Sequence, residues 1–324
     1  MSAAGAAVTH PADRPGSSHP GSGSVSGSGD PKQKPTLDRL RARLRELSPL
    51  VVAFSGGADS AFLAWVAHDT LGAGSSHAVT AVSPSLAPEE EADCGALARE
   101  WGLHWSAVVT RELANPDYSA NDGRRCYWCK TELMSVLTPI AEGSAATVVL
   151  GVNLDDLGDH RPGQEAAAEA GAAFPLVDAG FTKADVREWS QRLGLRTWDK
   201  PAAACLASRV PYGTRVSLGV LESVARAESA LRALGFRQLR VRHYGDLARL
   251  EIDGPELARA FEAREDIVAA VKAAGYSYVT LDLEGFRSGN LNSVLSPRAG
   301  AQPRPPRRSG GSNPAGAVLP KEPS

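Results

Sequence analysis

The chain has 324 residues, 43% of them hydrophobic, which is enough apolar side chain to bury a sizeable core and excludes wholesale disorder. Its 35 Lys and Arg stand against 37 Asp and Glu, a net charge of −2 that gives no electrostatic reason to expect a nucleic-acid binder. No apolar run approaches the ~20 residues of a membrane helix, no basic start leads into an apolar segment as in a signal peptide, and four cysteines are too few for a disulfide scaffold, so a cytoplasmic protein with reduced thiols and no membrane partner is expected.

Residues 1–35 hold 6 Gly, 5 Pro and 7 Ser, and residues 296–324 a further 7 Pro and 4 Gly. Such segments bury too little apolar surface to offset ordering entropy, and 1–35 and 294–324 read as disordered tails. Between them, Thr36–Leu47 is predicted as a helix with Leu37, Leu40, Leu44 and Leu47 on one stripe. Leu50–Phe54 is a continuous apolar run typical of a buried parallel strand. A helix over Ser60–Leu71, a strand over Ala78–Val82, a helix over Pro88–Trp101 and a strand over Trp105–Val109 follow. Then come a helix over Cys126–Ala141, strands at Thr147–Leu150 and Phe174–Val177, and a helix over Thr182–Leu193 opened by a Thr182…Asp185 capping pattern. This alternation predicts an α/β fold, a parallel sheet with helices on both faces, over 36–200. Past Lys200 the order becomes helix (Leu218–Leu234), strand (Gln238–His243), strand (Ala248–Ile252), helix (Pro255–Ala274) and strand (Tyr276–Leu283), a smaller α+β domain over 201–293, with Gly245-Asp246 as its hairpin turn.

Ser55-Gly56-Gly57-Ala58-Asp59-Ser60 lies between a strand and a helix, where backbone N–H groups and the helix dipole make an anion site. The glycines allow close approach of a phosphate, Ser55 and Ser60 offer hydroxyls, and Asp59 is a candidate N-cap. The loop lacks the Gly-Lys-Ser/Thr of a Walker A motif and the third glycine of the dinucleotide fingerprint. It is similar to the PP-loop of the ATP pyrophosphatases, proteins that cleave ATP between the α and β phosphates and adenylate a substrate. That likeness implies ATP with Mg2+ bound at Ala53, Ser55, Gly56, Gly57, Asp59, Ser60, Val82 (backbone, at adenine) and Gly151, with Gly151–Asp156 closing the pocket.

The cysteines divide. Cys94 falls in step with Leu97, Ala98 and Trp101 and reads as a packing residue. Cys126 and Cys129, in Arg124-Arg125-Cys126-Tyr127-Trp128-Cys129-Lys130, share a helix face, and their basic flanks and the helix N-terminus are expected to favour thiolate and oppose burial. Cys205 lies 76 residues beyond Cys129, outside regular structure. The pair is open to several readings: half of a structural zinc site, a dithiol, two core cysteines, or, with Cys205, the three ligands of a 4Fe–4S cluster with one iron open.

SGGADS, RCYWCK, GVNLDDLGDHRPG, FPLVDAGFTKADVR, PAAACLASRVPYG, LRVRHYGDLARLEI and LEGFRSGNLN occur in this order. Together they resemble the LarE family, ATP-dependent sulfur transferases of nickel-pincer nucleotide assembly, over residues 36–293. The resemblance implies a homo-oligomer whose substrate is pyridinium-3,5-biscarboxylic acid mononucleotide. ATP would adenylate a carboxylate, and sulfur would then displace AMP. Single-cysteine members sacrifice the cysteine that Cys205 matches; Cys126 and Cys129 make this chain resemble the three-cysteine branch, in which all three would act as catalytic thiols and hold a 4Fe–4S cluster. Arg209, Arg240, Arg242, Glu228 and Glu251 are the implied substrate contacts, and Asp156, Asp159, His160 and Arg161 further candidates. Two other activities suit a PP-loop: a tRNA thiolase, which needs an RNA-binding surface, and an ammonia-using synthetase, which leaves the cysteines without work. Residues 1–35 carry three basic and two acidic side chains and 296–324 five and one, leaving 27 basic against 34 acidic between, an acidic core that weighs against RNA.

Overall fold

Leu37, Leu40 and Leu44 are buried along one face of α1 (Leu37–Leu47), whose first turn is capped by the Thr36 hydroxyl accepting from Arg39 N–H. The computed structural model describes residues 35–158, 162–201 and 204–287. Four parallel strands, β1 (Leu50–Ala53), β2 (Ser76–Val82), β3 (His104–Val109) and β4 (Thr147–Leu150), form a sheet of order β3-β2-β1-β4.

The sheet's period of two sorts its side chains into two cores. Leu50, Val52, Phe54 and Val149 face α1, α2 (Ala58–Leu71) and α8 (Lys183–Arg192), while Val51, Val148 and Leu150 face α5 (Arg125–Gly143) and α6 (Pro162–Glu169). Helices thus cover both faces, as the alternation of elements predicted. Helix α2 buries residues on every side, with Phe62 against Phe181, so the loop that starts it is held by the core. α3 (Pro88–Trp101) follows β2, and the short α4 (Pro116–Ala120) leads into α5.

One predicted strand is corrected. Phe174–Val177 does not extend the sheet: Ala173 alone bridges Val149, and Pro175 starts the short helix α7 (Pro175–Asp178), because its fixed φ and missing N–H suit a first helical turn.

After residue 204 the chain builds α9 (Leu218–Ala233), β5 (Leu239–Tyr244), β6 (Leu247–Ile252), α10 (Leu257–Glu262), α11 (Arg264–Ala273) and β7 (Tyr278–Leu281). The sheet order is β5-β6-β7, with the first pair antiparallel and the second parallel. The hairpin turn is Gly245-Asp246, and Gly245 takes φ +63°, which a side chain rarely tolerates. The single helix predicted over Pro255–Ala274 is instead a 3-10 turn and two helices, with Ala263 (φ −86°, ψ 16°) leaving the helical path between them. Leu231, Val241, Leu250 and Val271 centre the core of this part. A further cluster of Tyr118, Leu206, Val210, Val216 and Leu221 joins it to α4 and α5.

Candidate functional site

The loop Ser55–Gly57 leaves β1 at the carboxyl end of the parallel strands, where open α/β sheets bind ligands. Gly56 turns it with φ +68°, and a Cβ there would meet Cys94 Sγ at 2.8 Å. Cys94 is therefore the floor of the loop, fully buried as expected, and burial pushes its thiol up to about 11. Ser60 Oγ lies 3.0 Å from Ser55 Oγ and donates to Gly57 O at 3.1 Å, closing the loop into a ring. The helix begins two residues earlier than predicted: Gly57 is the N-cap of α2, and Asp59 sits in the first turn, not at the cap. Its carboxylate instead accepts from Asn153 Nδ2 at 3.2 Å and pairs with Lys183 Nζ at 3.6 Å. Burial raises the Asp59 pKa; Lys183 opposes and Asp156 adds to the rise.

Gly151 explains how the segment after β4 reaches this point. A Cβ there would stand 2.8 Å from Ser60 N and 2.9 Å from Asp59 C, so only glycine lets the two backbones touch. Asn153 then folds onto Asp59, and Asp155 accepts from Lys183 N at 2.8 Å. Val82 ends β2 beside this loop, and Ala53 ends β1. Lys200 Nζ lies 3.7 Å from the Gly56 Cβ position and is clamped by Asp93 (2.6 Å) and Glu90 (2.8 Å). Asp159, His160 and Arg161 lie outside the described residues, as do the two tails.

Cys126 and Cys129 occupy the first turns of α5, one exposed and one half-buried, and Cys205 is exposed at the start of a 3-10 turn, Leu206–Arg209. They share one neighbourhood: the charges of Cys205 and Cys126 both bear on Cys129, and both bear on the Arg125 guanidinium. The basic flanks do not act as predicted. Arg125 is itself buried, and burial pushes the Cys129 thiol up to about 12, outweighing Lys130. Thiolate donors suit an iron–sulfur cluster, but among the described residues no three His, Cys, Asp or Glu side chains stand close enough to hold a metal ion. The donor chemistry of the three thiols, which share this neighbourhood, fits such a cluster, in which each thiolate binds a different iron.

Beneath Cys205 lies a buried basic cluster. Arg209 donates from Nε and Nη2 to the two oxygens of Glu228 (2.7 and 3.0 Å) and from Nη1 to Ala204 O and Cys205 O (2.5 and 3.2 Å). It is a strut under the cysteine, with every nitrogen of its guanidinium bonded to the protein. Arg242 pairs with Glu251 at 2.7 Å and donates to Ser208 O at 2.8 Å, while Arg232 and Arg249 bind the same two glutamates from the rim. Arg240 differs. It is 6% exposed, stacks 4.8 Å over Phe286, and has no hydrogen bond or ion pair among the described residues. Burial, then the charges of Arg209 and Arg242, lower its pKa to about 10. The charges of Glu228 and Glu251 also bear on Arg240, but among the described residues neither pairs with it directly, and a buried guanidinium with free donors has the chemistry to take an anionic group.

Sequence reasoning missed Lys183 beside the Ser55–Ser60 loop, Tyr118 and Asn121, and the role of Arg125, read only as a basic flank, in joining the cysteine segments. Only the quoted FTKADVR and RCYWCK strings pointed near them; Tyr118 and Asn121 carry no local signal. Ser85 Oγ bonds Tyr118 Oη at 2.6 Å, and Leu206 N donates to Ser85 O at 2.8 Å, so the Cys205 turn is tied to the loop that leaves β2.

The chain matches no established family profile. An uncharacterized protein of Synechocystis is 46% identical over 263 residues, covering 80% of this chain and 98% of that protein. The pyridinium-3,5-bisthiocarboxylic acid mononucleotide synthase of Lactiplantibacillus plantarum is 37% identical over 258 residues, 79% of this chain and 94% of that enzyme. An uncharacterized protein of Methanocaldococcus jannaschii is 27% identical over 256 residues, 78% of this chain and 97% of its own length.

Proposed function

Because the chain belongs to the pyridinium-3,5-bisthiocarboxylic acid mononucleotide synthase (LarE) family, we propose that it is an ATP-dependent sulfur transferase acting on pyridinium-3,5-biscarboxylic acid mononucleotide. The observation that carries this reading is the bond from Leu206 N to Ser85 O, which ties the Cys205 turn to the end of the strand beside the nucleotide loop. A carboxylate is a poor electrophile, and a mixed anhydride with AMP supplies the leaving group.

ATP binds with its phosphates against the N–H groups of Gly56–Asp59 at the start of α2. Asp59 would hold the magnesium that accompanies ATP, and Lys183, freed from Asp59, would neutralise the departing pyrophosphate. Arg240 takes an anionic group of the substrate and presents a carboxylate to the α-phosphorus. A sulfur nucleophile then displaces AMP, and two rounds give the bisthiocarboxylate. Cys126, Cys129 and Cys205 are the residues that would hold a 4Fe–4S cluster, which when bound supplies sulfide. A second reading is favoured by the exposure of Cys205: the cysteine yields its own sulfur and ends as dehydroalanine.

Two measurements test the proposal. Substrate-dependent pyrophosphate release is expected and is abolished by Asp59→Ala; unchanged release in the variant rejects the nucleotide site. Protein purified anaerobically is expected to contain iron and show broad visible absorbance that Cys126→Ala removes. Iron-free, colourless protein after reconstitution, with loss of one H2S from Cys205 on turnover by intact mass, selects the sacrificial route.

A further inference from the structure

Arg125 is a buried guanidinium in a segment otherwise notable for its exposed thiol, and its bonds cross between two distant parts of the chain. Its Nη1 donates to Asn121 Oδ1 at 2.5 Å and to Ala207 O at 2.9 Å, two residues beyond Cys205. Its guanidinium also lies over the Tyr212 ring, 5.5 Å from the centroid. Asn121 holds the other side of the same segment. It is fully buried, takes φ +58°, and donates from Nδ2 to Val210 O, Pro211 O and Thr214 O at 3.3, 2.8 and 2.8 Å. Gly213 N returns a bond to Asn121 O at 2.9 Å. An asparagine in the left-handed region is tolerated where its side chain bonds backbone locally; here every such bond goes to the loop that follows Cys205.

We propose that Arg125, seated on Asn121, is a positioning residue that latches the Cys205 segment onto the first turn of α5 and so sets where Cys205 stands relative to Cys126 and Cys129. This deepens the sulfur-transfer reading. The two thiol sources are 76 residues apart in sequence, and buried charge-assisted bonds are the contacts whose loss frees such a loop at the largest cost. The latch uses side chains that neither bind ATP nor carry sulfur.

The test uses the full-length, metal-free, reduced protein and a short bis-maleimide, with cross-links mapped by peptide mass spectrometry. Wild type is expected to give two products, Cys126–Cys129 within α5 and Cys205 joined to that pair. Arg125→Ala is expected to lower the second about tenfold while leaving the first, which needs only the helix, unchanged. Arg125→Lys, which restores one donor, is expected to recover part of it. Absence of the second product in wild type, wild-type yields in Arg125→Ala, or equal loss of both products overturns the latch. If Arg125→Ala does not fold, Arg125→Gln, which keeps one donor and the stem but removes the charge, is read in the same way. The assay needs no cluster, so iron-free protein with an intact latch sinks only the cluster, and iron-loaded protein with unchanged cross-links sinks only the latch.

Discussion

Single residues here serve geometry and chemistry that pull against stability. Asp59 is a carboxylate whose pKa is raised chiefly by burial, so folding favours its protonated form. The sign is opposite to that of a salt-bridged acid: stability is gained as pH falls through the raised pKa and withheld at neutral pH. Asp59→Asn is therefore expected to raise the thermal midpoint at pH 7, with the gain vanishing in acid, while pyrophosphate release is lost; a lower midpoint at pH 7 contradicts this. Gly151 illustrates the converse. Its missing Cβ leaves backbone 2.8 Å away at Ser60 N, so Gly151→Ala must push the loop off the start of α2. A displacement of that order is expected to cost at least about tenfold in substrate-dependent pyrophosphate release, with little change in helical circular dichroism.

At the scale of elements, the caps decide where the useful side chains stand. The Thr182 hydroxyl accepts from Asp185 N while the Asp185 carboxylate accepts from Thr182 N, a complete capping box as the Thr182…Asp185 spacing predicted. That cap starts α8 at Lys183 and aims its ammonium at Asp59. Thr182→Ala is expected to cost about 1 kcal/mol in urea unfolding and to raise the KM for ATP through Lys183; an unchanged KM would separate the cap from the site. The same scale explains the strand that became a helix at Pro175. An apolar run of four residues fits either element, and the proline's missing N–H decides against a sheet.

Taken whole, the molecule sets an acidic chain around a basic interior. Residues 36–295 hold 27 basic and 34 acidic side chains, yet Arg209, Arg240 and Arg242 are buried together, with Glu228 and Glu251 the buried carboxylates paired to this cluster among the described residues. Burial pushes the Glu228 carboxyl up, but Arg209, bonded to both its oxygens, outweighs that and holds it below the usual range. Its contribution is thus present at neutral pH and lost as pH falls through the acidic range. Glu228→Ala strands a buried arginine and is expected to destabilise by about 3–5 kcal/mol, and Glu228→Gln to flatten the acid limb of a stability–pH profile. A neutral outcome for Glu228→Ala would mean that the cluster is not load-sharing between α9 and the Cys205 turn.

Periodicity and glycine placement in the sequence were sufficient for the parallel sheet, the helices on its two faces, the loop at Ser55–Ser60 and the packing role of Cys94, because strand and helix periods and turn chemistry are local properties of the chain. The partners of charged side chains were not legible. Nothing near Arg209 in sequence announces Glu228, and nothing near Arg125 announces its bond to Ala207, 82 residues on; which arginine is a strut and which, like Arg240, has no direct ion pair among the described residues is set by contacts between segments distant in sequence. Thiol chemistry was misjudged at Cys129 for the same reason: flanking charge can be read from neighbours in sequence, whereas the burial that outweighs it exists only once the chain has folded.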